Sequence, residues 1–194
     1  MKTFLKELWT SIVATAFLCL IVSGVYPVVI WGIAQGLFPH QANGSLIERN
    51  GQIVGSELLA QGFSGAKYFH PRPSNAGSGY DPLASGGSNL GPTNQALVTR
   101  VEQDVARWQK ENPGVPIPSD LVTSSGSGLD PDISPASAAF QVARVANARG
   151  ASQDQIRTIV AKHTQGRQWG ILGEARVNVL DLNLDLDESL PTRP

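Results

Sequence analysis

The N-terminal part of the chain contains a long stretch without charge, since no Asp, Glu, Lys or Arg lies between Glu7 and Glu48. The most apolar portion of this stretch covers residues 12–34. An α-helix needs roughly 20 apolar residues to cross the hydrocarbon core of a bilayer, so this portion is long enough. We therefore expect residues 1–7 to precede a transmembrane helix over residues 8–36.

A cleaved signal peptide and a buried core helix are the alternatives to a retained membrane anchor. The apolar core of a signal peptide has about 7–15 residues and precedes a small-x-small cleavage site. The apolar run here is longer and has no convincing Ala-x-Ala site. Few helices in the core of a soluble protein remain uncharged for so long. The pattern favours the retained anchor.

Positive charge is distributed asymmetrically about the predicted helix. Lys2 and Lys6 precede it, and the next Lys or Arg is Arg49. The positive-inside rule then places the N-terminus in the cytoplasm. Residues 37–194 would form an extracytoplasmic domain, which in a bacterium with two membranes is periplasmic. The expected location is the inner membrane, with a single pass through the bilayer.

Small and polar residues interrupt the apolar run at intervals that favour helix–helix contact. A stripe of this kind lets two membrane helices approach closely. The alternative is that the hydroxyl groups bond to the backbone of their own helix. The candidate packing residues are Ser11, Thr15, Ser23 and Gly24.

The composition of the remaining chain predicts an α+β domain rich in loops. Gly (20) and Pro (13) are frequent, which argues against a helical bundle, and the only cysteine is Cys19 in the apolar segment. With a single cysteine, no disulfide can form within the chain. The formal net charge is −1, so nothing indicates binding to nucleic acid.

Turn and cap signals predict a small β-sheet and about three helices. Asn50-Gly51 separates two short apolar segments, as in a tight β-hairpin. The stretch 61–92 is rich in Gly, Ser, Pro and Asn, yet it contains Phe69 and other aromatic residues. Pure linkers lack such residues, so we interpret it as an ordered, irregular loop.

Three helices are expected after this loop. Thr93 would cap the first, which stops at residues 112–114. Ser134 with Pro135 would begin the second. The remaining boundary signals are Gly150, which ends the second helix, the capping-box pair Ser152 and Gln155, and Gly166, which closes the third.

The C-terminal part shows strict alternation of polar and apolar residues from Asp181 to Asp187. Such alternation is typical of a strand with one buried face. We expect the tail after Leu190 to be frayed.

Signatures of common catalytic sites are missing from the sequence. It has no phosphate-binding P-loop, no nucleophile elbow and no zinc-binding His-Glu-x-x-His motif. The three histidines are far apart, so a zinc site built from protein side chains is not expected. We expect no metal ligands and no catalytic residues in this chain.

A glycine-rich loop is the first candidate for a binding site. Consecutive backbone N–H groups in such a loop can form an anion-binding nest, and Thr93 would open a helix just beyond it. The alternative is an ordinary turn. The residues that would contact a ligand or partner are Ser85, Gly86, Gly87, Ser88, Asn89 and Gly91.

The second candidate is the stretch from Thr123 to Ser134, where Asp130 lies among many hydroxyl groups. A nucleophilic serine such as Ser127 would need a base. His70 and His163 are the candidates for that base, although their spacing does not fix a pair. The alternative is a turn before a capped helix.

Several strings taken together resemble the KdpC family, the C subunits of the bacterial Kdp potassium-transporting P-type ATPase. They span nearly the whole chain in order. Asp132 departs from this resemblance, because we expect His to be common at that position in the family. The matching strings are Tyr26-Pro27, Phe38-Pro39, residues 42–45, Tyr68 through Ser74, Ser85 through Pro92, Leu121 through Pro135, Gln141 through Ala146, and Gly173 through Leu184.

The resemblance implies an accessory subunit in a membrane complex that uses ATP, Mg²⁺ and K⁺. Its partners would be a channel-like potassium subunit, a P-type ATPase subunit and a small membrane subunit. The chain itself lacks the Asp-Lys-Thr-Gly phosphorylation motif. The family has been described as a catalytic chaperone that raises the affinity of the ATPase subunit for ATP, with the loop from Ser85 to Gly91 as the proposed contact.

The expected topology conflicts with that contact, because ATP in the cytoplasm cannot reach a periplasmic loop. A membrane-anchored periplasmic serine hydrolase and a free-standing binding module are the alternative functions. The hydrolase would depend on the stretch from Thr123 to Ser134.

Overall fold

The computed structural model describes residues 1–191 and divides into two compact units. The first is Met1–Leu46, and the second begins at Ile47. The expectation of a frayed tail falls mainly on residues 192–194, which lie outside the described residues.

The first unit is dominated by one continuous helix, Lys2–Leu37, of 36 residues. It consists of α1 (Lys2–Cys19), a π-helical segment (Leu20–Val25) and α2 (Tyr26–Leu37). None of its residues is buried. A short helix, α3 (Pro39–Ala42), follows. The predicted apolar helix is therefore present, and its length and composition would allow it to cross a membrane.

The π-helical segment ends two residues before Pro27. Tyr26 N–H donates to the carbonyl of Ile21, five residues earlier. Proline has no N–H to donate to the carbonyl four residues back, and its ring crowds that carbonyl. The wider π-helical turn therefore ends just before the position at which proline disturbs a regular α-helix.

The second unit begins with a β-hairpin of β1 (Leu46–Arg49) and β2 (Gln52–Ser56). The φ angles of Asn50 and Gly51 are 52° and 75°. Positive φ at both central residues is what a tight hairpin turn requires. The hairpin predicted from Asn50-Gly51 is confirmed.

Within residues 47–191, the hairpin is followed by four α-helices and a three-stranded antiparallel sheet. The sheet order is β3-β5-β4, with Ile133 opposite Val177 and Thr164 on the other side of Val177. The elements in chain order are α4 (Gln95–Glu111), β3 (Asp132–Ile133), α5 (Pro135–Arg149), α6 (Gln153–His163), β4 (Thr164–Gln165), β5 (Arg176–Asn178) and α7 (Val179–Ser189), with a 3₁₀ turn at Ser119–Leu121.

Most of the predicted helix boundaries are confirmed. Ser134 Oγ accepts a hydrogen bond from Ser137 N–H, and Ser152 forms the capping box with Gln155. Gly150 ends α5 with a left-handed φ of 64°. Two predictions were wrong in detail. Asn94 rather than Thr93 caps α4, and α6 ends at His163, before Gly166.

The strand predicted over Asp181 to Asp187 is wrong, because these residues belong to α7. Asn178 caps this helix by accepting a hydrogen bond from Asp181 N–H at 3.1 Å. The buried positions follow helical spacing, since Val179, Leu182, Asn183 and Leu186 are all buried. Asn183 is polar, so the sequence does not indicate that it is buried. Without Asn183, the helical spacing of the buried positions cannot be recognised.

The main core of the second unit lies between α5, α6, α7 and the small sheet. Phe69 from the irregular loop is fully buried within it. A second cluster surrounds Trp108 of α4 with Leu121 and Phe140. The α+β class is therefore as predicted, and the loop contributes to the core.

Candidate functional site

The irregular loop over residues 61–92 begins with a segment held by buried side-chain amides. Asn183 Oδ1 accepts from Phe69 N–H at 2.8 Å, and its Nδ2 donates to Phe69 O at 2.9 Å. Gln141 makes the same pair of bonds to the backbone of His70, at 2.8 and 3.1 Å. The two amides thus replace the neighbouring strand that an extended segment would otherwise need.

Two arginines from α5 fix the same segment. Arg144 donates to Ala66 O and Tyr68 O at 2.7 and 2.9 Å, and its Nε lies 2.9 Å from Glu111 Oε2. Arg149, whose side chain is fully buried, donates to Lys67 O and pairs with Asp187. Charge-assisted hydrogen bonds of this kind are stronger than neutral ones.

His70 packs into this region as a neutral side chain. Its ring lies 5.9 Å from the ring of Trp108, and Nε2 is 3.2 Å from Gly65 O. Burial, together with the positive charge of Arg144, lowers the pKa of His70 from 6.5 to about 4. A carbonyl only accepts hydrogen bonds, so Nε2 carries the proton in this contact.

The glycine-rich loop lies against the second candidate stretch. Gly86 N–H and the Ser85 hydroxyl both donate to Ser127 O, at 2.8 and 3.0 Å. A Cβ at Gly87 would lie only 3.1 Å from Gly126 O. We call residues 85–91 and 123–130 the paired loops. The sequence offered them as two separate candidates, and the structure brings them together.

Gly128 allows the close approach of the paired loops. Its φ is 68°, and a Cβ there would lie 2.7 Å from both Ala76 N and Gly86 O. Ser74 bonds the same region, donating to Gly128 O at 2.6 Å and accepting from Tyr80 N–H at 2.8 Å. Backbone atoms thus make most of the contact between the paired loops.

The outer part of the glycine-rich loop retains free hydrogen-bonding groups. Within residues 1–191, no partner is found for the N–H groups of Gly87, Ser88 and Asn89. Ser85, Asn89 and Gly91 are exposed. This geometry would allow the loop to contact an anion or a partner protein, and its role as a binding site remains a prediction.

A cleft of about 580 Å³ lies beside the paired loops. Arg72 pairs with Asp130 at 2.9 Å on one side of it, and Arg176 pairs with Asp132 at 3.1 Å on another. Burial raises the pKa of Asp132, although the charge of Arg176 opposes this shift. Asp130 and Asp132 therefore face arginines within the chain, whereas Asp120, which also lines the cleft, accepts hydrogen bonds from Ser134.

The geometry gives no support to serine hydrolysis. Ser127 Oγ accepts from Leu129 N–H at 3.1 Å, and His163 Nε2 lies 2.7 Å from Asp185. In the part of the chain that the structure describes, no hydrogen bond joins either His70 or His163 to a serine hydroxyl. The same part contains no group of three or more His, Cys, Asp or Glu residues arranged to hold a metal ion.

The candidate packing residues of the apolar helix have no side-chain hydrogen-bond partner along residues 1–191. Ser11, Thr15 and Ser23 are exposed, Gly24 is half-buried, and none of the three hydroxyls bonds to its own helix backbone. Thr10 does so, donating to Lys6 O at 2.9 Å. These hydroxyls are therefore available to another helix, and their packing remains a prediction.

The sequence did not indicate which residues bond to the backbone of the irregular loop. Gln141 lies on the apolar stripe of α5, between Ala138 and Val145, and Asn183 lies on that of α7. A polar residue within an apolar stripe was the available signal. Arg144 and Arg149 gave no comparable signal, because their partners are distant in the sequence.

Comparison with known proteins identifies the family. Residues 8–188 match the family model described as KdpC: K+-transporting ATPase, c chain. The chain belongs to this family. The KdpC subunit of Koribacter versatilis is 56% identical over 186 residues, covering 96% of each chain. The KdpC subunit of Gemmatimonas aurantiaca is 56% identical over 193 residues, covering 98% of this chain and 96% of that one.

A further relative, from Rhodospirillum rubrum, is 54% identical over 189 residues and covers 96% of this chain and 98% of its own. All three are named as KdpC subunits of a potassium-transporting ATPase. The matches include both the apolar helix and the domain that follows. The resemblance inferred from the quoted strings is confirmed.

Proposed function

We propose that this chain is a non-catalytic accessory subunit of an ATP-driven potassium import complex. The observation that carries the proposal is the family match over residues 8–188, which joins an unpartnered apolar helix to a folded domain. The sequence has no Asp-Lys-Thr-Gly phosphorylation motif. ATP hydrolysis would therefore belong to a P-type ATPase subunit, and K⁺, ATP and Mg²⁺ would be bound by the partners.

The helix anchors the chain in the bacterial inner membrane, and Ser11, Thr15, Ser23 and Gly24 pack against the channel-like subunit. Small and hydroxyl-bearing residues are the usual contacts between membrane helices. A small membrane subunit is a further partner. In this arrangement the chain stabilises the assembly and shapes the extracellular entrance for potassium.

The N-terminus lies in the cytoplasm and the folded domain in the periplasm, as the positions of Lys2 and Lys6 favour. The loop from Ser85 to Gly91 then cannot meet cytoplasmic ATP. A chaperone effect on the ATP affinity of the ATPase subunit would be transmitted through the membrane helices as a coupling free energy.

Cysteine labelling in intact spheroplasts tests the topology. In a Cys19→Ser background, Leu83→Cys places a thiol at a site that is 95% exposed in the domain, and Thr3→Cys is the cytoplasmic control. A membrane-impermeant maleimide should label the cysteine at position 83 at once and the cysteine at position 3 only after lysis. The reverse pattern would overturn the topology and restore direct contact with ATP.

A further inference from the structure

The segment between β4 and β5 projects as a hairpin with an apolar tip. Trp169 is 89% exposed, Ile171 is 74% exposed and Leu172 is 48% exposed. We call residues 166–175 the tip hairpin. A cluster of three large apolar side chains on the surface of a folded domain indicates an interaction site when it is presented in a fixed conformation.

Hydrogen bonds and an ion pair fix the conformation of the tip hairpin. Gln168 and Leu172 exchange two backbone hydrogen bonds, each of 2.9 Å. Arg167 binds both carboxylate oxygens of Glu174, at 2.8 and 2.9 Å. Below the hairpin, β5 is anchored by fully buried Val177. The backbone of the tip is therefore hydrogen-bonded into one defined turn, as suits a preformed binding element.

Trp169 occupies a backbone conformation that its side chain does not favour. Its φ is 53°, and that of Gly170 is 78°. Turns with two positive φ angles favour Asn, Asp or Gly at these positions, and a bulky residue there is uncommon. Strain of this kind concentrates at binding sites. The exposed Trp169 side chain does not pack in the core of the domain, and so the packing of the domain does not explain its unfavourable backbone angle.

The charges of the tip hairpin favour a protein partner over a lipid surface. Arg167 is the only basic residue among residues 166–175, all of which the structure describes, and Glu174 neutralises it. Arg176, which follows, is paired with Asp132. Attraction to an anionic bilayer surface depends on unpaired Lys or Arg, whereas a neutral tip with a central tryptophan resembles the hot spots of protein interfaces.

We propose that Trp169, with Ile171 and Leu172 beside it, docks into an apolar, polar-rimmed pocket on the extramembrane surface of another subunit of the transporter. This inference rests on the proposed function, because it takes the partner from the same complex. Tryptophan supplies a large contact area with few rotatable bonds, so little side-chain entropy is lost on docking.

Replacement of Trp169 by glycine separates binding from folding. Trp169→Gly removes the side chain and suits the positive φ. The thermal midpoint of the detergent-solubilised chain should therefore stay unchanged or rise. Recovery of the other subunits in mild detergent should fall by about tenfold or more, as for an interface hot spot. Leu83→Gly removes another exposed apolar side chain and serves as the matched control.

Wild-type recovery by Trp169→Gly, or an equal loss with Leu83→Gly, would overturn the docking proposal. If the wild-type chain itself recovers no partner, the proposed function fails instead, so the two failures are distinguishable.

Labelling of Ile171→Cys in the Cys19→Ser background tests the choice of partner. In vesicles that contain this chain alone, a water-soluble maleimide should react with the cysteine at position 171 as readily as with the cysteine of Leu83→Cys. In the assembled complex, the cysteine at position 171 should be protected. Protection in the vesicles without partners would show insertion into lipid and contradict the proposal, as would free reaction in the complex.

Discussion

The two halves of the irregular loop are ordered by different means. Around Phe69 and His70, the backbone is held by Asn183 and Gln141, which are buried in helices. From Ser85 to Gly91, the loop is held mainly by the backbone of another loop, through Ser127 O. The first half belongs to the core, and the second lies on its surface.

This difference indicates how each half responds to change. Side-chain amides that satisfy buried backbone groups cannot be removed without leaving those groups unpaired. A contact between two backbones depends instead on glycines that lack a Cβ. The first half should therefore be sensitive to substitutions in distant helices, and the second to added volume within the loops.

Replacement of Asn183 should give the largest effect. Asn183→Leu leaves Phe69 N–H and C=O buried without partners, which should lower the free energy of unfolding by about 3 kcal/mol. Urea unfolding in detergent, followed by tryptophan fluorescence, measures the loss. Ser88→Ala in the second half is the control and should change the value by less than about 0.5 kcal/mol. Equal effects of the two variants would remove the contrast between the halves.

Added volume at Gly128 should loosen the second half. Gly128→Ala combines a positive φ with a clash against Gly86 O, and should lower the free energy of unfolding by about 1–3 kcal/mol. Limited proteolysis should then cut within residues 76–91 sooner than in the wild type. At Gly86 itself a Cβ would meet open space, so Gly86→Ala should behave as the wild type. If Gly128→Ala is as resistant as Gly86→Ala, close backbone approach does not order the second half.

Acidification should weaken the first half through His70. The folded protein keeps His70 neutral down to a pKa of about 4, whereas the unfolded chain protonates it near 6.5. The unfolded state thus binds more protons between these values, so stability falls as the pH drops from 6.5 to 4. After screening by solvent, we expect a loss of about 1–2 kcal/mol.

The pH effect is measured as unfolding free energy at pH 7 and at pH 4.5 in the wild type and in His70→Gln. The variant should lose less stability between the two pH values. An identical drop in both proteins would mean that His70 does not contribute to the pH dependence.

Local signals in the sequence predicted the local structure well. Asn50-Gly51 gave the hairpin, and Ser134 with Pro135 gave the start of α5, because turn and cap geometry depend on a few neighbouring residues. The apolar helix was equally clear, since its composition alone excludes a surface helix.

Features that depend on distant partners could not be predicted in the same way. The alternating pattern from Asp181 to Asp187 concealed a helix. Asn183 is polar but buried, because its side-chain amide bonds to the backbone of Phe69. The pairing of Gly86 with Ser127 joins segments about forty residues apart. Neither segment contains a sequence signal that indicates the other as its partner. The resemblance to the family identified these strings without explaining how they meet.

The π-helical segment before Pro27 also determines which hydroxyl-bearing residues of the apolar helix line up. On a uniform α-helix, Ser23 would lie about 80° around the axis from Thr15. A π-turn contains more residues, so each residue advances the helix by a smaller angle. Local underwinding over Leu20–Val25 therefore rotates Ser23 back toward Ser11 and Thr15, so that the three hydroxyls lie on one ridge of the helix instead of in two divergent patches.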